Sequence, residues 1–331
     1  MFMDSLHEVI TDSHIFQMGC LLRDGYVFAP LTQSNIYDAI VIRASDDCRA
    51  MGVHGFSEHS LAEQIAFINR HKLEKAIVVA KDISFIRECP TLRYLKVCPA
   101  DTAADKFDYS PLYDMPNLRY LVCVTAYGGP KEPLSATIDY SRIYGLRALD
   151  AAGKRHLNYN LIDTLEELTI SGDKSHQNLK SVSCSTNLKK LWFLQCGLKS
   201  LEGIDQFPNL QSLALDYMRS LQDISQLSLT AASLRALSIE NCPKIADFEC
   251  LYDLVNLEHL YLHGNNTLPS LDFLNHMKML QTFTFSMTVL DCDLTPCLGI
   301  PYASSFKNRK QYNLKDKDLP KQPPKKPFEL I

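Results

Sequence analysis

The chain has 331 residues, 46% of them hydrophobic, and a formal net charge of −4. That is enough apolar side chain for one large or two ordinary domains with a real core, and too little positive charge for a general nucleic-acid binder. Eleven cysteines at irregular spacings, behind an N-terminus (MFMDSLHEVITDSHIF) with no leader pattern, read as reduced, mostly buried thiols in a cytoplasmic protein. No apolar run reaches the roughly 18 residues that a membrane helix needs.

Charge is unevenly spread. From Ser305 onward, eight Lys/Arg stand against three acids, a local +5 that leaves −9 for residues 1–304. Such an acidic body favours basic partners and disfavours nucleic acid.

In chain order, residues 1–88 read as an αβ cap or as degenerate repeats. Apolar strands are expected at YDAIVIRA (37–44) and KAIVVAK (75–81). Between them, SEHSLAEQIAFINRHK places Leu61, Ile65 and Ile68 on one helical face, with Ser60 as N-cap and Glu63 completing a capping box. From residue 89 to 290 a Leu-x-x-Leu-x-apolar motif returns at Leu92, Leu118, Leu146, Leu165, Leu188, Leu210, Leu234, Leu257 and Leu280. Residues 291–331 read as a C-terminal cap followed by a basic, Pro/Lys-rich tail that hangs off the last strand.

These units resemble the leucine-rich repeat family. LKKLWFLQCGL (Leu188, Leu191, Phe193, Cys196, Leu198) and LRALSIENCPKI (Leu234, Leu237, Ile239, Cys242, Ile245) follow its L-x-x-L-x-L-x-x-N/C-x-L pattern, as does LEHLYLHGNNTL with Asn265 at the ninth position. The second half of the unit is similar to the roughly 22-residue class of bacterial internalins and of a phosphatase regulatory subunit. The resemblance implies an α/β solenoid, a horseshoe whose parallel β-sheet lines the concave side, with an N-terminal αβ cap. Stacked units then share one continuous core.

Because strand side chains alternate, the first, fourth and sixth positions point into that core and the third, fifth and seventh face outward. This register sends the chain's single tryptophan, Trp192, to the concave face with Lys190 and Leu194. Asp216 and Glu240 fall in one row on adjacent strands, about 5 Å apart on sheet spacing. Like charges so placed repel, and a cationic group from a partner would relieve them. His259, Tyr261 and His263 continue the same face. Aromatic anchors beside acids make a plausible contact surface for a basic protein.

Chemistry is not expected. The chain has no P-loop, no G-x-S-x-G and no G-x-G-x-x-G; YGGP at 127–130 is a loop signal. On a strand His259 and His263 sit roughly 13 Å apart, too far to share one metal ion. His54 and His59 lack further ligands at metal-site spacing, and Cys196 and Cys242 fill repeat turns. No cofactor is implied. The expectation is a non-enzymatic interaction module of a bacterial cytoplasm, an inhibitor or immunity protein for a basic toxin or enzyme. Alternatives are a regulatory or scaffold subunit, such as that of a phosphatase, and a secreted effector. Oligomeric state is left open.

Overall fold

The first, fourth and sixth positions of the repeats, mostly leucine, are buried in every unit from Leu92 to Phe285. The computed structural model describes residues 15–16, 20–31, 38–43, 57–99, 107–125, 137–153 and 156–322. His54, the loop at 127–130 and the end of the tail from 323 lie outside the described residues. Two compact units make up the chain, 1–164 and 165–331.

Among the described residues, the long sheet of the first unit carries eight strands in sequence order: β1 (Ile15–Phe16), β2 (Cys20–Arg23), β3 (Tyr26–Ala29), β4 (Ala39–Arg43), β5 (Lys75–Ala80), β6 (Tyr94–Pro99), β7 (Tyr120–Thr125) and β8 (Ala148–Gly153). Pairing is antiparallel from β1 to β4 and parallel from β4 to β8. Antiparallel hairpins terminate a parallel stack without a long crossover. Between β4 and β5 lies α1 (Leu61–His71), and its capping box is formed: the Ser60 hydroxyl accepts from the Glu63 amide while Glu63 accepts from the Ser60 N–H at 2.7 Å. On the face expected to be apolar, only Ile68 is fully buried, and Gln64 is buried beside it. Its amide nitrogen donates to the His59 carbonyl at 2.9 Å, which offsets part of the cost of burying it.

The second unit carries seven parallel strands in its long sheet, again in sequence order: β9 (Glu167–Ser171), β10 (Lys190–Leu194), β11 (Ser212–Asp216), β12 (Ala236–Glu240), β13 (His259–His263), β14 (Thr282–Phe285) and β15 (Tyr302–Ser305). The register is the one the motif dictates. Leu191, Leu213, Leu237, Leu260 and Phe283 pair in one row, and Phe193, Leu215, Ile239, Leu262 and Phe285 in another. All ten are at most 1% exposed.

Apart from α1, the helical turns of the described return segments are 3-10, and many returns share a signature the leucine pattern does not contain. An aspartate side chain accepts the amide of the residue two positions on at Asp82–Ser84, Asp108–Ser110, Asp139–Ser141, Asp173–Ser175, Asp223–Ser225 and Asp293–Thr295, all between 2.7 and 3.1 Å. These Asx turns bend the chain away from the strand and open the return.

Two expectations are corrected here. Asn265 does not take the ninth-position role; it is exposed, and Asn266 is buried in its place. Asn266 Nδ2 donates to the carbonyls of Cys242 at 2.9 Å and Ile245 at 2.8 Å. The shift comes from Gly264, which at φ +136° admits one extra residue to the turn. Of the basic segment from Ser305 onward, read as a tail beyond a C-terminal cap, the described part is folded as far as Gln322. It follows directly on β15, buries Tyr312 and Leu319, and ties Lys321 to the Ala303 carbonyl (2.7 Å) and to Asp316 (2.8 Å).

Candidate interaction surface

On the second unit, the side of the sheet opposite the leucine core carries three rows set by strand pairing. One runs Trp192, Ala214, Ser238, Tyr261, Thr284; the next Leu194, Asp216, Glu240, His263; the third Lys190, Ser212, Ala236, His259, Thr282.

Trp192 is half-buried. Its neighbour Ala214 ends at Cβ, which leaves the indole room to reach diagonally across β11. There its Nε1–H donates to Asp216 Oδ2 at 2.6 Å. The other carboxylate oxygen, Oδ1, is buried and has no hydrogen-bond partner among the described residues. Burial pushes the Asp216 carboxyl up to about 6; the Trp192 hydrogen bond pulls against this, and the charge on Glu240 adds to it. An acid held that way is short of a positive neighbour. Glu240 Oε1 accepts from Asn241 Nδ2 at 3.1 Å.

The remaining residues differ in how open they are. Leu194 is half-buried beside Asp216. Lys190 is held by Glu167 at 3.1 Å. His263 Nε2 is bonded to Thr284 Oγ1 at 2.8 Å, and burial lowers the pKa of its ring. Tyr261 is half-buried, its phenol pushed up to about 12 by burial. His259 is only 7% exposed and, with burial lowering its pKa as well, contributes least to the open face. Thus Trp192, Leu194, Asp216, Glu240, Tyr261 and His263 form one contiguous outward strip. Among the described residues no group of three or more His, Cys, Asp or Glu side chains is placed to hold a metal ion, and no helix is long and apolar enough to cross a membrane.

No family profile matches the chain. Among curated proteins it is similar to the disease resistance protein RPS4B of Arabidopsis thaliana, 26% identical over 212 residues; this covers 62% of the chain but only 16% of the plant protein. Among solved structures it is similar to the mouse RP105/MD-1 complex, at TM-score 0.51 and 14% identity over 75% of this chain and 48% of that one. It is also similar to two proteins of Listeria monocytogenes. They are the functional domain of InlJ (TM-score 0.47, 20% identity, 68% and 50% covered) and the internalin InlF (TM-score 0.44, 13% identity, 82% and 81% covered). The chain thus spans a small part of the plant relative and about half of the mouse and InlJ chains. With the strand register and the mouse structure side by side, the fold is decided.

The chain is a leucine-rich repeat solenoid. Its ninth-position cysteines act as the solenoid requires: the thiols of Cys196 and Cys242 donate to the carbonyls of Ile170 and Leu215, each at 3.2 Å. Burial pushes these thiols up to about 11 and about 12, so they are poor nucleophiles. Sequence reasoning missed two residues beside the strip, Phe306 and Lys307. They follow β15, whose pattern Ile300, Ala303, Ser305 contains no leucine to announce a repeat.

Proposed function

We propose that this leucine-rich repeat protein is a non-enzymatic interaction module that binds a basic protein partner along the outward strip of its second unit. The observation that carries the reading is the Asp216–Glu240 pair. Two carboxylates stand in register on adjacent strands, one with a buried oxygen that has no donor, beside a tryptophan already fixed by a hydrogen bond. A lysine or arginine placed there gains a charge-assisted hydrogen bond and removes the like-charge repulsion that the free protein carries. Trp192 enters the interface with its orientation already set, so little side-chain entropy is lost on binding. The mouse structure with this fold is likewise that of a complex.

The acidic body, −9 outside the last 27 residues, steers the same class of partner. Inhibition of a basic toxin or enzyme is the role that this charge pattern suits best. Parallel pull-downs from source lysate with the wild-type protein and with Trp192→Ala/Asp216→Lys test the reading. A basic protein held by the wild type and lost by the variant is expected; equal capture by both sinks the assignment of the strip.

A further inference from the structure

The outward strip ends in a concavity of about 530 Å³. Glu240 and His263 line it from the sheet, Gly264 and Asn265 from the turn after β13, and Phe306 and Lys307 from the segment after β15. We propose that this pocket receives the guanidinium group of an arginine side chain of the basic partner, an inference that rests on the proposed function above and gives it a specific anchor.

Three observations favour a planar cation. Among the described residues Glu240 brings the pocket's only carboxylate, whose Oε1 accepts from Asn241 and whose Oε2 meets no donor. Phe306 is 69% exposed, its ring braced by the edge of His263 at 5.1 Å and 75°. A large ring held in the open beside a carboxylate is the arrangement that takes a cation over its face. Guanidinium can stack on the ring and donate in its plane to the carboxylate at once, whereas a compact, strongly hydrated ammonium cannot.

Lys307 does not reverse this preference. Its Nζ is committed to the Gly264 carbonyl at 3.2 Å and to Asn265 Oδ1 at 3.1 Å, so it fastens the turn rather than waiting for an anion. An anionic ligand would also meet Glu240. The first part of the basic segment thus builds a wall of the site.

Isothermal titration of the full chain with the capped peptide Gly-Gly-Arg-Gly-Gly, and with its citrulline and lysine counterparts, tests the inference. The arginine peptide should bind at least about tenfold more tightly than the neutral, nearly isosteric citrulline peptide, and more tightly than the lysine peptide. Glu240→Gln should weaken it by about tenfold, Phe306→Ala by roughly threefold, and Phe306→Trp should restore or exceed wild-type affinity. Thermal melts check that each variant is folded; Phe306 is exposed enough for its truncation to be tolerated.

Equal binding of arginine and citrulline peptides, or indifference to Glu240→Gln, overturns the pocket. Titrating the basic protein captured by the wild-type chain separates the two readings. Affinity lost with Trp192→Ala/Asp216→Lys but untouched by Glu240→Gln and Phe306→Ala removes the pocket and keeps the strip. Indifference to all of these variants removes both.

Discussion

Each unit carries parallel strands in the same repeat register, and the two put the outward side of those strands to opposite uses. In the first unit the outward positions of β4, β5 and β6 hold Ala39, Val41, Ile77, Val79 and Cys98, which pack into one cluster and are at most 7% exposed. In the second the equivalent positions include Trp192, Leu194, Asp216, Glu240, Tyr261 and His263, all half-buried, between the small buried side chains of Ala214, Ser238 and Thr284. Backbone and register are shared; only the side chains at alternate positions differ. A repeat frame therefore fixes where side chains point and leaves open whether that side becomes core or contact surface.

Substitutions at matched outward positions should break this symmetry most visibly. Ile77→Asp places an unpaired charge where 1% of the residue is exposed, and a loss of more than about 4 kcal/mol is expected in chemical denaturation. Leu194→Ser, at an outward position of the second unit, should stay within about 1 kcal/mol of wild type. Comparable losses at both would mean that the second sheet face is as much a core as the first.

Next in size is the leucine side of the second unit. Phe193→Ala should cost about 3–5 kcal/mol, although its neighbours in sequence, Trp192 and Leu194, face the other way. Asn266→Ala strips two buried carbonyls of their donor and should cost roughly 2–3 kcal/mol, while Asn265→Ala should cost little. The reverse order would restore Asn265 to the ladder.

Smaller effects come from pH, and they run in opposite directions. Asp216 is raised to about 6 in the folded protein from an ordinary 3.8, so its ionisation weakens the fold as pH rises from about 4 to 6. Asp216→Asn should therefore raise stability at pH 7–8 by roughly 1–2 kcal/mol and by almost nothing at pH 4, while weakening partner binding. The Asx-turn carboxylates Asp108, Asp139, Asp223 and Asp293 are held below their ordinary value by hydrogen bonds from the Ser or Thr two residues on. Their contribution is complete above the ordinary carboxylate value and fades as pH falls through the lowered one. The gap in melting temperature between Asp223→Ala and wild type should thus persist above about pH 4 and begin to close only as pH falls below it. A constant gap would assign the loss to something other than the charged turn.

Much of this was legible in the sequence where the motif is strong. From Leu165 to Leu280 the leucine spacing dictates register residue by residue, because slipping by one position would turn every leucine to the wrong side. Beyond both ends the same fold is built from other residues. β5 uses Leu73, Ala76 and Val78, and β15 uses Ile300, Ala303 and Ser305, sets that a leucine template passes over. Alternation separated Trp192 from its apolar neighbours, but the indole's bond to Asp216 depends on the small Ala214 between them, a diagonal relation that linear spacing does not express. Phe306 and Lys307 were hidden for a different reason: lysine and proline content reads as a solvated tail, and only tertiary contacts show that the segment is tied down as far as Gln322.

The single tryptophan has one more consequence. Because the chain holds no other indole and this one is bonded to an acid raised to about 6, its emission comes from one known place and senses the state of one known carboxyl. The protein thus carries an intrinsic optical reporter. Its fluorescence followed between pH 5 and 7 is expected to follow the ionisation of Asp216, and the same signal followed during a titration should report an occupant that touches Trp192 without a label.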